Sequence, residues 1–138
     1  MKESLLSVEL CQELVKRGLV LDTQHYWFFD HILNKWLNYT KNAVELFQLD
    51  KSLVLPAPSA EELKDSMAIY IIRKNDYKNY HNRSNRIVGG YRFGYFCEED
   101  NLLDYSESLT ESDAIALQLI ALLDADILKI ENNHIIQV

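Results

Sequence analysis

"RIVGGYRFGYF", residues 86–96, is the stretch that decides the fold. Its bulk is aromatic and β-branched, a composition that favours a strand over a helix. We expect the Gly89-Gly90 pair to form a β-bulge and Gly94 to allow close packing against a neighbouring strand. The segment "MAIYIIR", residues 67–73, has the same character and is its expected antiparallel partner. Together the two segments predict a β-hairpin.

The connection between them, "RKNDYKNYHNRSNR" at residues 73–86, is strongly basic. It holds five Arg or Lys and one Asp, whereas the whole chain has a net charge of −7. Basic side chains contact phosphates, aromatic rings stack on bases, and a two-stranded ribbon fits a major groove. The candidate nucleic-acid-binding residues are Arg73, Lys74, Tyr77, Lys78, Tyr80, Arg83 and Arg86, with Arg92 as an extension on the second strand.

A solvated loop is the competing interpretation of this connection. Surface loops are commonly polar without having a function. Without this connection, the rest of the chain has a more negative net charge than the whole chain, and such a charge repels a polyanion. The connection is also long, because most hairpin loops have two to five residues. Either the strands extend into it as a projecting ribbon, or it is mobile.

A helix is predicted at residues 111–128, with Thr110 as its N-cap and acidic residues in its first turn. Its middle, from Ala114 to Leu123, has one polar residue, Gln118. A helix that is apolar nearly all round is buried on more than one side. One side can lie on the sheet. The other needs the N-terminal helix or a second subunit, and we therefore expect a homodimer through this C-terminal helix.

The N-terminal helix is predicted at residues 8–17, after Ser7 as N-cap and before Gly18 as a left-handed stop. Apolar residues recur along it at helical spacing. They are Val8, Cys11, Leu14 and Val15.

The middle of the chain is less regular. "HYWFFD" (25–30) predicts a strand, and "NKWLNYT" (34–40) is compatible with a second. Residues 43–55 fit a helix or two short strands, and we favour strands with a turn at Asp50-Lys51.

Two further segments complete the assignment. Ser59 and Glu62 form a capping-box pattern, which predicts a short helix through about Ser66. The tail "ENNHIIQV" (131–138) either frays or adds an edge strand.

This order of elements predicts one α+β domain over residues 1–138. We expect a mostly antiparallel sheet with the N-terminal and C-terminal helices packed on one face, because helices gathered beside an antiparallel sheet are typical of this class.

Three segments carry a family resemblance. They are "SVELCQELVKRG" (7–18), "PAPSAEELKDSM" (56–67) and "YRFGYF" (91–96) followed by "SLTESDAIALQLIALL" (108–123). In these the chain resembles a family of small uncharacterised phage- and prophage-encoded α+β proteins of unknown function. The resemblance implies a mobile element in a bacterial cell as the setting and supplies no catalytic residues. The long basic connection departs from the family.

No catalytic, metal or cofactor site is predicted. The seven carboxylates between Glu98 and Asp113 lack EF-hand spacing, and His25 and His31 are too far apart on a strand to share one ion. Nucleophile-elbow, Walker and zincin motifs are absent from the sequence. We therefore expect a protein that is not an enzyme and needs no cofactor.

The compartment is predicted from two features. Cys11 and Cys97 lack any paired spacing, so we expect both to be reduced. The longest nearly apolar run, "AIALQLIALL", has ten residues, too few to span a bilayer. A cytoplasmic location without membrane association follows.

The sequence thus predicts a phage or prophage accessory protein that acts by binding rather than catalysis. Its partner would be nucleic acid, bound through residues 73–86, or a phage or host protein. The alternative is a homo-oligomeric protein-interaction or virion-assembly component that binds no nucleic acid.

Overall fold

The computed structural model describes residues 5–67, 70–72, 79–97 and 102–138. The elements in these ranges are α1 (Val8–Lys16), β1 (His25–Asp30), β2 (Lys35–Thr40), α2 (Lys41–Leu46), β3 (Val54–Pro56), α3 (Ala60–Ser66), β4 (Tyr70–Ile72), β5 (Asn79–Ile87), β6 (Gly90–Phe96), β7 (Leu102–Ser108), α4 (Glu111–Asp124), β8 (Leu128–Glu131) and β9 (His134–Gln137). The strand pairs are antiparallel. The predicted α+β class is confirmed.

The largest sheet has four strands in the order β4-β5-β6-β7. A tight turn at Val88 and Gly89 joins β5 to β6, and Gly89 adopts a φ of +83°. The prediction of one strand over residues 86–96 with a bulge at Gly89-Gly90 is therefore wrong. Gly89 lies in the turn, where its positive φ suits a hairpin, and Gly90 begins β6.

The basic stretch is not one long connection. From Asn79 onward it forms β5, which pairs with β4 on one side and with β6 on the other. The predicted free two-stranded ribbon is therefore wrong, since β5 and β6 are the inner strands of the sheet. Residues 73–78 lie outside the described residues.

Strand β7, with the sequence "LLDYSES", is not among the predicted elements. In the sequence this region stands out for its carboxylates, and the alternation of its residues was not recognised. It pairs with β6 and leads directly into α4. The predicted cap of α4 is confirmed, because the Thr110 hydroxyl accepts a hydrogen bond from the Asp113 N–H at 3.2 Å. The helix ends at Asp124, four residues before the predicted end.

Helix α4 lies at the centre of the hydrophobic core. It packs on β6 and β7, and α1, α3 and β8 contact it as well. Ile115, Leu119 and Leu122 are fully buried, while Leu117 is 37% exposed. The chain therefore covers most of this helix itself, and the apolar surface that suggested a dimer through it is small. The homodimer stays a prediction.

Helix α1 contacts α4 and β3. Ser7 is at its N-cap position, but the Ser7 side chain makes no capping hydrogen bond. Instead the Ser7 N–H donates to Asp113 Oδ1 at 2.9 Å, which ties the starts of α1 and α4 together. The predicted stop is confirmed, since Gly18 has a φ of +93°.

A three-stranded sheet of order β2-β1-β3 confirms both predicted aromatic strands. In residues 43–55 the preference for two strands is wrong over the first part. Thr40 accepts from the Ala43 N–H at 3.2 Å and caps α2, and a short 3-10 helix, Lys51–Leu53, precedes β3. The side-chain cap offers the backbone a helical start that the apolar pattern did not reveal.

The two remaining predictions concern α3 and the tail. Ser59 and Glu62 form both hydrogen bonds of the predicted capping box, and α3 ends at Ser66 as expected. The tail does not fray. Strands β8 and β9 form a two-stranded hairpin.

Candidate functional site: the open face of the four-stranded sheet

The two faces of the four-stranded sheet have opposite character. Tyr80 on β5 and Phe93 and Tyr95 on β6 point inward and are no more than 1% exposed. Their neighbours in the register, Asn82 and Ser84, lie in the same inward row. Because α4 packs on β6 and β7 at this face, the alternate residues of each strand point to the other side.

The outward row forms what we call the open face. Its described members on β5, β6 and β7 are exposed or partly exposed, apart from the buried Gly94. They are His81, Arg83, Asn85, Ile87, Gly90, Arg92, Gly94, Phe96, Tyr105 and Glu107.

Two arginine–aromatic pairs lie on the open face. The guanidinium carbon of Arg83 is 4.2 Å from the centroid of the Phe96 ring, and that of Arg92 is 4.7 Å from the centroid of the Tyr105 ring. Both distances fall within the range of a cation–π contact. Each pair joins neighbouring strands, so the two planar cations are held against the sheet.

Gly94 lies between the two pairs. It is directly opposite Arg83 on β5 and Tyr105 on β7. A Cβ atom at Gly94 would lie 2.6 Å from the Asp104 carbonyl oxygen and 2.7 Å from the Tyr105 Cβ. The predicted close packing at this glycine is therefore confirmed, and it is what lets Tyr105 lie close to β6.

Glu107 holds Arg92 from the side. The Arg92 Nε and Nη2 atoms donate to Glu107 Oε1 at 2.9 and 2.6 Å. Both side chains are partly exposed, so the pair contributes at most about 1 kcal/mol to stability. Its effect is to orient the guanidinium over the Tyr105 ring. Counting only the described residues, two Arg and one Glu give this part of the face a positive charge.

Polar contacts on the opposite side fix the sheet to the helices. The Ser84 hydroxyl donates to Glu111 Oε2 at 2.7 Å, and Lys64 Nζ lies 3.2 Å from Glu111 Oε1. The Ser106 hydroxyl donates to Gln118 Oε1 at 3.0 Å. These contacts join β5 and β7 to α3 and α4, so the open face has a rigid support.

The structure divides the predicted nucleic-acid-binding residues. Arg83 lies on the open face and is exposed. Arg86 is exposed but belongs to the inward row, at the end near the Val88–Gly89 turn. Tyr80 is 1% exposed, so its assignment as a base-stacking residue is wrong, because a ring in the core has no free face.

The other predicted residues, Arg73, Lys74, Tyr77 and Lys78, lie outside the described residues.

Phe96 and Tyr105 were missed as members of a site. Phe96 was predicted to lie on a strand, but the face of the sheet to which it points was not predicted. Tyr105 belongs to β7, which was not recognised. The signal for Tyr105 is the alternation in the second half of β7, where Tyr105 and Glu107 point outward.

Within the described ranges, no group of three or more His, Cys, Asp or Glu is arranged to hold a metal ion. Nor is any described helix both long and apolar enough to cross a membrane.

Comparison with known proteins does not extend this description. No family model matches the chain, and neither a curated protein nor a solved structure matches it. The resemblance to phage- and prophage-encoded proteins therefore stays a prediction.

Proposed function

We propose that this chain is a non-catalytic binding protein whose open face contacts nucleic acid. The observation that carries the proposal is the placement of Arg83, Arg92, Phe96 and Tyr105 around Gly94 on one side of the sheet. A guanidinium group pairs with phosphate oxygens and also stacks on flat rings, and aromatic rings add further flat surface. Phosphate oxygens and flat base rings are both available on nucleic acid.

The net charge limits how the ligand can bind. At −7 the chain as a whole repels a polyanion, so contact must be confined to the face that carries the arginines. We therefore expect modest affinity that depends strongly on salt, because each phosphate contact releases counterions.

The test is the double variant Arg83→Ala/Arg92→Ala. We expect it to weaken nucleic-acid binding by roughly tenfold or more at low salt, and to lower the slope of log affinity against log salt by about one for each lost phosphate contact. Fluorescence anisotropy with labelled oligonucleotides, titrated across a series of NaCl concentrations, measures both quantities.

The matched control is Lys16→Ala, which removes an exposed cation from α1, away from the sheet. It should change affinity far less than either arginine substitution. Equal losses in Lys16→Ala and in the single variants Arg83→Ala and Arg92→Ala would mean that total charge, rather than the open face, governs binding. Absence of any binding at low salt would remove the proposal.

The second candidate is a homo-oligomeric protein-interaction or virion-assembly component. It is favoured by exposed apolar side chains at the β1–β2 turn, where Ile32 is 94% and Leu33 56% exposed, and at the C-terminal end of α2, where Leu46 and Phe47 are exposed. Exposed apolar groups of this size are typical of protein contacts. This function requires an assembled species in light scattering and no nucleic-acid affinity at physiological salt.

The proposed setting is the cytoplasm of a bacterial cell that carries a phage or prophage. The two thiols support a reducing compartment, since Cys11 and Cys97 are both free and buried. The phage setting rests on the sequence resemblance alone. Neighbouring genes test it, because replication genes would favour the nucleic-acid function and capsid genes the assembly function.

A further inference from the structure

We infer that the open face takes single-stranded nucleic acid and holds it by stacking bases on Arg83–Phe96 and Arg92–Tyr105. This inference rests on the proposed nucleic-acid function and names the class of ligand. It is carried by the sheet topology and by the geometry of the two arginine–aromatic pairs.

The topology disfavours reading of a duplex groove. A major groove is about 12 Å wide and admits a helix or a two-stranded ribbon. Strand β6 carries Arg92 and pairs with β5 on one side and with β7 on the other, while the described part of β4 pairs with β5 at residues 79–81, before Arg83. The three strands β5, β6 and β7, about 4.8 Å apart, span roughly 10 Å between their outer backbones, before any side chain is added. The arginines therefore cannot enter the groove on a narrow ribbon.

A broad sheet instead suits bases that are already unstacked. Single strands are bound when their splayed bases stack on aromatic rings or on the planes of guanidinium groups. The guanidinium carbons of Arg83 and Arg92 lie over the Phe96 and Tyr105 rings, 4.2 and 4.7 Å from the ring centroids. Each pair thus adds a flat cation on top of a flat ring, and the cation is placed to meet a base or a phosphate.

Gly94 makes the two stacking positions part of one surface. Because Gly94 has no Cβ, Tyr105 can lie closer to β6 than a larger residue at this position would allow. Along β6 the outward residues are then Arg92, Gly94 and Phe96 in sequence. A flexible strand that crosses the face can contact both pairs, whereas the paired and stacked bases inside a duplex present no free ring face.

The experiment compares four labelled probes on the full chain at fixed low salt. They are a 20-mer of deoxythymidine, the same length of uridine, a 20-base-pair DNA duplex, and an abasic 20-mer that keeps the phosphates but lacks bases. The variants are Arg83→Lys and Arg92→Lys, which keep the charge and lose the planar group. Circular dichroism and the thermal midpoint confirm that each variant folds, and Lys16→Arg is the control.

We expect one or both base-bearing single strands to bind more tightly than the duplex and the abasic strand. Each Arg→Lys variant should lose roughly fivefold or more in affinity for the single strand, the loss expected for one weakened base stack. The abasic strand should be nearly insensitive to the same variants, because phosphate contacts survive the change to Lys. The two single strands differ in the sugar, so their ratio shows whether DNA or RNA is preferred.

The failures of the two proposals are distinguishable. If the duplex or the abasic strand binds as tightly as the single strands, or if the Lys variants bind as well as the wild type, the stacking inference is overturned while nucleic-acid binding stands. If none of the four probes binds, the proposed function itself is overturned.

Discussion

At the scale of single residues, Gly94 is required by the packing of the open face. Its missing side chain leaves room for Tyr105 close to β6 and beside Arg92. The need for a glycine was visible in the sequence as a break in an aromatic strand. The residues that Gly94 contacts were not visible in the sequence, because they belong to β7, which was not predicted.

Replacing Gly94 with Ala should destabilise the protein. The new Cβ would lie 2.6 Å from a backbone oxygen of β7, which cannot move without disturbing the strand pairing. We expect a loss of about 1–3 kcal/mol in the free energy of unfolding, the usual cost of overpacking. Urea denaturation monitored by circular dichroism measures it.

Gly18→Ala is the matched control, because it has open space around the position and only a positive φ. That substitution should cost about 1 kcal/mol through backbone strain alone. A Gly94→Ala protein as stable as the wild type would contradict the packing described for β6 and β7.

At the scale of elements, the C-terminal hairpin shows how a turn can also fasten a structure. Asn132 and Asn133 both have positive φ, 51° and 62°. This is the conformation of a two-residue hairpin turn whose twist matches that of the two strands it joins. The Asn133 side chain accepts from the Val20 N–H and donates to the Val20 carbonyl, both at 2.7 Å. It thereby pairs with the backbone of the loop after α1.

Asn133→Gly should be more destabilising than Asn132→Gly. Both variants keep a residue that tolerates positive φ, but only the first removes the two hydrogen bonds to Val20. We expect a difference of about 1–3 kcal/mol in the free energy of unfolding, given about 0.5–1.5 kcal/mol for each of the two bonds. Chemical denaturation of the two variants in parallel measures the difference, and equal stabilities would contradict it.

At the scale of the whole molecule, one hydrophobic core joins α1 to the four-stranded sheet. Cys11 of α1 and Tyr95 of β6 belong to the same buried cluster. Burial raises the pKa of the Cys11 thiol from 9.0 to about 12, with a further increase from the nearby Asp113 carboxylate. Burial likewise raises the pKa of the Tyr95 hydroxyl from 10.0 to about 12.

These pKa shifts predict a loss of stability in alkali. Between pH 9 and 12 the unfolded chain releases the Cys11 proton while the folded chain retains it, so the free energy of unfolding falls as pH rises. Tyr95 adds to the fall above pH 10. At pH 7, well below the pKa of either group in the unfolded chain, neither group contributes a slope. Urea midpoints measured from pH 7 to 11 test this.

Two variants separate the contributions. Cys11→Ala should lower stability at pH 7 by leaving a cavity, yet show a shallower decline from pH 9 upward. Tyr95→Phe should reduce the decline only above pH 10. If the wild type and Cys11→Ala declined in parallel, the thiol would not be the group that titrates.

The helices and strands that carry local signals were predictable. Three such signals each involve residues within four positions of one another: the Ser59–Glu62 box, the Thr110 cap and the Gly18 stop. In the structure the first two mark the start of a helix and the third follows the end of α1. The turn at Val88–Gly89 and the helix after Thr40 were misread, since two adjacent glycines and an apolar run each fit more than one conformation.

By itself the sequence determined the α+β class, the aromatic strands and the apolar helix α4, because hydrophobic period and capping act between residues close in the chain. Only the tertiary structure decided which face of each strand is open. Burial of Tyr80 and the meeting of Arg83 with Phe96, and of Arg92 with Tyr105, depend on how β5, β6 and β7 pair and on which side α4 covers. Those contacts join residues 12 or more positions apart, so no local pattern specifies them.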